Sequence, residues 1–232
     1  MRQSIINFVL AIAAVTLVAS QSYANLLDLT VEFEGTINGA IFQRFDPETS
    51  TGTGVIEPFL RIQGKGVEEG YNMDTTIAFE TKEGAWTRSL SLSDVPLVTI
   101  DGVNYRAFLL DINQSMGSKS LLSLDELQVF LEASDIFTGF SDNFSSPVYD
   151  LGEDNWIKLD AGLIGNGSGS GDMLAFIPDS LFNGSGNDVY FYSKFGENES
   201  SNGGFEEWAV QIPEPATLLL LGLGAVTLRK KS

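Results

Sequence analysis

Cysteine and histidine are both absent from the 232 residues, and basic residues are scarce, with 13 Lys and Arg against 31 Asp and Glu. Without thiols no disulfide can staple the chain and no thiol redox chemistry is open to it, so stability has to come from a packed core or from bound ions. Without imidazole the usual general base near neutral pH and the commonest zinc ligand are missing, which removes Ser-His and Cys-His triads and zinc hydrolase sites. Carboxylates, Lys, Tyr and Arg are what remain for catalysis. Much of the scarce positive charge sits at the ends of the chain. Arg2, Arg229, Lys230 and Lys231 lie outside residues 25–211, as does a single acid, Glu214; nine basic and thirty acidic residues are left between, a net charge of −21. Such a charge repels nucleic acid and anionic lipid faces and excludes a nucleic-acid function, and its ordinary role is solubility.

Long apolar runs are confined to the two ends. Arg2 precedes an apolar run from Ile5 to Ala19 that only Asn7 and Thr16 interrupt, and Ser22-Tyr23-Ala24 then offers small residues at the two positions a signal peptidase reads. Residues 1–24 therefore read as a secretory signal peptide, with cleavage expected between Ala24 and Asn25. At the other end Pro213-Glu214-Pro215 precedes 13 uncharged residues, Ala216 to Leu228, and then Arg229, Lys230 and Lys231. A helix of that length reaches about 20 Å, short of the roughly 30 Å hydrocarbon core, so it makes a marginal anchor. The basic end would stay on the cytoplasmic side and leave the body outside the cytoplasm. The paired prolines lock φ near −65° and hold the triplet extended, so it cannot join the helix and a membrane-embedded enzyme could grip it.

Motif, apolar helix and basic end, in that order, closely resemble the PEP-CTERM sorting signal of Gram-negative bacteria, with Pro213, Glu214, Pro215, Ala216 and Thr217 as the core. The resemblance covers residues 212–232, about a tenth of the chain. It implies that an exosortase recognises the motif in the inner membrane, which residues 216–228 cross transiently, and that the body is exported to the cell surface or an exopolysaccharide matrix.

Residues 25–211 have the size of one domain with a single substantial core. Leu29, Val31 and Phe33 alternate with polar residues and predict a strand, which Asn38-Gly39 turns into Ala40–Phe45 as a hairpin. Val55–Gln63 reads as a strand that Pro58 confines to an edge or a bulge, and residues 64–74 read as a polar loop. A second hairpin is expected from Thr75–Thr81 and Trp86–Leu92 around Lys82-Glu83-Gly84, and a third from Val98–Ile100 and Val103–Ile112 around Asp101-Gly102. Residues 120–134 are ambiguous. Ser123 with Glu126 could cap a helix bearing Leu124, Leu127 and Leu131 on one face, yet Leu127, Val129 and Leu131 alternate as in a strand. A lone helix would lack a partner layer, so a strand is expected. Trp156–Asp160, Met173–Ile177, Val189–Phe195 and Phe205–Val210 complete about eleven short strands, with loops over 137–155 and 166–171. That pattern predicts an all-β, antiparallel β-sandwich of the jelly-roll or lectin type.

For ligands, Asp150, Asp154, Asp160 and Asp172 lie around two loops and are candidates for a structural calcium site, since Ca²⁺ takes several oxygen ligands from such loops. Asp111, Asn113 and Ser115 open like an EF-hand, but Met116 and Leu122 replace its glycine and its glutamate. Trp86, Trp156, Trp208, Tyr190 and Tyr192 could stack on sugar rings, although aromatic residues in strands more often fill the core. A glycosidase needs two carboxylates about 5 to 10 Å apart, and the sequence singles out no such pair. The expected function is non-catalytic, structural or glycan-contacting; the rival is a secreted carboxylate-based polysaccharide hydrolase or lyase.

Overall fold

A computed structural model describes residues 25–46, 56–74, 79–114, 120–133, 144–163 and 171–210. The expected signal peptide, the sorting motif, the apolar run and the basic end lie outside the described residues. Among the described residues there are fourteen strands in two sheets of seven, two single 3-10 turns and no α-helix.

The first sheet runs in the order β1 (Asn25–Asp28), β11 (Asn155–Asp160), β9 (Leu121–Glu132), β13 (Asp188–Phe195) and β5 (Glu68–Tyr71). Onto it β10 (Tyr149–Asp150) adds beside β9, and β6 (Leu90–Ser91) beside β13. The second runs β2 (Glu34–Ile37), β3 (Ala40–Arg44), β12 (Met173–Pro178), β8 (Val103–Ile112), β14 (Glu206–Val210) and β4 (Pro58–Ile62), with β7 (Leu97–Ile100) beside β8. Every pairing is antiparallel except that of β1 with β11.

One hydrophobic core joins the sheets, because alternate residues of each strand face the other sheet. Phe191 of the first sheet meets Phe108, Trp208 and Phe59 of the second at ring-centroid distances of 4.4, 5.2 and 5.3 Å. All four rings are fully buried. The phenol of Tyr149 on β10 donates to the Ile37 carbonyl on β2 at 3.0 Å and ties the sheets at their margin.

Both two-residue hairpins form as expected. Asn38-Gly39 (φ 50° and 85°) joins β2 to β3, and Asp101-Gly102 (φ 49° and 82°) joins β7 to β8. Positive φ at both turn positions matches the twist of the flanking strands. Pro58 lies at the edge of the second sheet, opposite a register shift between Trp208 and Ala209, where its missing donor costs nothing. Residues 121–132 are the long strand β9, not a helix.

Three local expectations are corrected. The predicted strand over Leu29 to Phe33 is a turn, because the Asp28 carboxylate accepts from the Thr30 amide at 3.0 Å and the Asp28 carbonyl accepts from Val31 and Glu32. The polar loop of residues 64–74 contains β5, with Glu68 and Tyr71 buried. The hairpin expected around Lys82-Glu83-Gly84 is not seen among the described residues. Residues 80–88 instead line the free edge of β4, with Lys82 and Arg88 donating to Arg61 and Phe59 and Gln63 donating to Glu80.

Candidate functional site

β14 delivers the chain to the sorting motif. It occupies the edge of β8 from Ile112 to Phe108 and ends at Val210, three residues before Pro213. Beyond Phe108 that same edge is taken by the next segment, with the Ala107 amide donating to the Pro96 carbonyl and Leu97 pairing with Arg106. A strand cannot continue along an edge whose donors and acceptors are already paired, so the pairing of β14 with β8 ends at Val210. At the other end β1 begins at Asn25, whose amide donates to the Asp154 carbonyl at 2.6 Å. Among the described residues, the first strand therefore lies next to the expected signal cleavage site and the last strand next to the sorting motif.

The four candidate calcium ligands do not meet. Asp150 accepts from the Gly152 amide at 2.8 Å and from Gln128 Nε2 at 3.0 Å, and Asp160 accepts from the Gly162 amide at 2.8 Å. Both cap their own turns. Asp154 contributes its carbonyl to Asn25, and Asp172 is buried against β8. Among the described residues no three acidic side chains are grouped so as to hold a metal ion. Asp150 and Asp154 are held at their own turns, and of the four only Asp160 lies near Asp172.

What the structure does assemble is two buried carboxyl pairs that sequence reasoning missed. Asp172 accepts from the Ile112 amide at 2.7 Å and hydrogen-bonds Asp111; burial, aided by Asp111 and Asp160, pushes its carboxyl up to about 8. Glu206 on β14 and Glu68 on β5 are fully buried side by side, with Gln114 Nε2 donating to Glu206 at 2.5 Å and the Gly64 amide donating to Glu68. Burial and the hydrogen bond with Glu68 raise Glu206 well above the usual carboxylate range. Two carboxyls this close, out of water, are held by a shared proton. The sequence signal was faint: Glu68 and Glu206 sit in segments that read as a polar loop and as the polar phase of a strand. Asp111, by contrast, was noticed only as the opening of an EF-hand that fails.

Of the aromatic candidates, Trp208, Tyr190 and Tyr192 are buried and Trp156 is half-buried. Trp86 remains, 45% exposed, with the Arg61 guanidinium 4.3 Å from its ring centre. Phe205, 36% exposed, packs on the same guanidinium at 4.8 Å, and Glu207 ion-pairs with it. Stacking and pairing fix the Arg61 fork and so fix the two rings on the outer face of the second sheet. A shallow hollow of about 350 Å³ lies beside Asn25, Leu26, Ile37, Asn38 and Asn155. Its Asn38 and Asn155 amides already donate to the Asp150 and Leu151 carbonyls, which leaves it few free donors.

No curated protein and no solved structure matches the chain. Residues 211–231, beginning at the residue after β14, match the family model of the PEP-CTERM protein-sorting motif. The chain therefore carries a PEP-CTERM sorting motif at its C-terminal end and is an exported protein recognised by an exosortase.

Proposed function

We propose that this is a cell-surface or exopolysaccharide-matrix protein whose body, a β-sandwich of jelly-roll type, acts without catalysis by structure and by glycan contact. Signal peptidase releases Asn25, residues 216–228 cross the inner membrane as a short helix, and the exosortase acts at Pro213–Thr217. The observation that carries this reading is the match of residues 211–231, directly after β14, to the PEP-CTERM protein-sorting motif. The excess of acids is a solubility device for a body that folds outside the cell without disulfides. Burial of both carboxyl pairs favours the non-catalytic reading over a hydrolase, whose two carboxyls must reach a sugar.

Replacing Pro213 and Pro215 by Ala in a host with an exosortase tests the sorting. The variant should stay uncleaved in the membrane fraction, and release equal to that of the wild-type chain would refute this use of the motif. Glycan contact is assigned to Trp86 and Phe205, because they present apolar ring faces on the surface of an otherwise acidic body. Trp86→Ala should lower retention of the protein on the host's exopolysaccharide severalfold without shifting its melting temperature; unchanged retention would remove Trp86 from this role.

A further inference from the structure

The second sheet is apolar on its core face and also over the middle of its outer face. Along β8, Phe108, Leu110 and Ile112 face the core, while Tyr105, Ala107 and Leu109 face away from it. Across the outer face the register puts Leu174 beside Leu109, and Phe176 beside Ala107 on one side and Ile41 on the other. A sheet with one face in water alternates apolar with polar residues, but Met173 to Ile177 of β12 is buried at every position. Phe176 is 5%, Leu174 7% and Ala107 0% exposed, and among the described residues their cluster is made by this sheet and Phe45 at its margin.

We propose that this outer face is the docking site of the chain's own apolar tail, Ala216 to Leu228, when the tail is not in a membrane. Length fits: from Leu109 to Val103, six residues of extended strand cover about 20 Å, the length of a 13-residue helix. Position fits as well. The chain leaves β14 at Val210 beside Phe108 and Ala107, and the five residues Gln211 to Pro215 reach at most about 17 Å, enough to bring Ala216 over Ala107. Charge also fits, because Arg229, Lys230 and Lys231 end the tail and the body carries the opposite sign. Composition and position argue against the other segments: residues 75–78 and 115–119 are too short to cover the face, and residues 134–143, with Ile136, Phe137 and Phe140, connect β9 to β10, both in the first sheet. Residues 47–55 and 164–170 are mostly Gly, Ser, Thr and polar residues, and residues 1–24 join the chain at β1, the edge of the other sheet. The tail is thereby shielded from water between export and insertion, and its entry into the bilayer bares the face. Docking does not depend on what the exosortase does, so it can fail while sorting stands.

The absence of cysteine makes a direct test simple. In the full chain, purified in detergent-free buffer, Leu220→Cys is combined with Ile41→Cys or Val98→Cys, two half-buried positions of the face. A control combines it with Glu126→Cys on the first sheet. Mild oxidation should form the intramolecular disulfide at least tenfold faster in the two face pairs than in the control, with circular dichroism confirming the fold of each. Equal rates in all three would overturn the proposal. So would disulfide-linked dimers of the Ile41→Cys chain as the main product, since these would show that a second copy occupies the face. Added phospholipid vesicles should slow the face pairs by drawing the tail away, and an undiminished rate would contradict the exchange of the tail between the face and a bilayer.

Discussion

Individual acids of this chain do opposite things depending on whether water reaches them. Asp150 and Asp160, at turns, accept backbone and amide hydrogens, whereas Asp172 is held protonated near neutrality because burial penalises its charge and Asp111 accepts its proton. The consequence for stability follows in sign. A carboxyl whose folded pKa is raised to about 8 from 3.8 keeps a proton that the unfolded chain releases, so the folded state binds more protons between those values. Stability then falls as pH rises from about 4 to about 8, by up to about 1.4 kcal/mol per pH unit for each such proton. Glu206, raised beside Glu68, adds to the same trend. Asp172→Asn keeps an acceptor for the Ile112 amide and gains a permanent donor for Asp111. We expect thermal melts to show a smaller loss of melting temperature from pH 5 to pH 8 in the variant, and a more stable variant at pH 8. An equal loss in both proteins would mean that Asp172 is ionised in the fold.

At the scale of elements, what was legible in the sequence was whatever is decided within a few residues. Asn38-Gly39 and Asp101-Gly102 each specify a turn by their own backbone freedom, and both hairpins formed. Pro58 likewise announced an edge. Alternation alone was less safe: Leu29, Val31 and Phe33 alternate, yet the Asp28 side chain captures the next amides and closes a turn. β9 shows how a strand can imitate a helix. Leu124, Leu127 and Leu131 follow helical spacing because the pairing with β13 slips between Lys194 and Phe195, so that Glu126 and then Leu124 find partners and Asp125 is passed over. That extra residue keeps Leu124 and Leu127 on one face. It also turns Asp125 toward the amides of Glu197 and Asn198, at 2.7 and 3.3 Å, where it pins the loop before β14. Ser123, read as half of a capping box, accepts from Asn198 and Glu199 in the same anchor. Partners more than seventy residues away made these contacts, and no local pattern could have named them. The same holds for the buried pair of Glu68 and Glu206, which only the closure of β5 and β14 at one end of the core brings together.

At the scale of the whole molecule, the described strands fill the span between the expected signal cleavage site and the sorting motif. Pro213 lies three residues beyond β14, the last strand among the described residues, and the register of β8 hands its edge from β14 to β7 at that point. The C-terminal motif was the most legible part of the sequence, because a sorting signal is read by its enzyme as a short linear pattern. The use of the body was the least legible, since its exposed Trp86 and buried acids depend on the packing of distant strands. The central claim is that export and sorting leave the body alone at the surface. Intact-mass measurement of the protein released from the surface of an exosortase-bearing host addresses it directly. The account predicts a single species that begins at Asn25 and has lost the apolar tail from Ala216 onward; a released species that still contains Leu218 to Lys231, or that still begins at Met1, would contradict it.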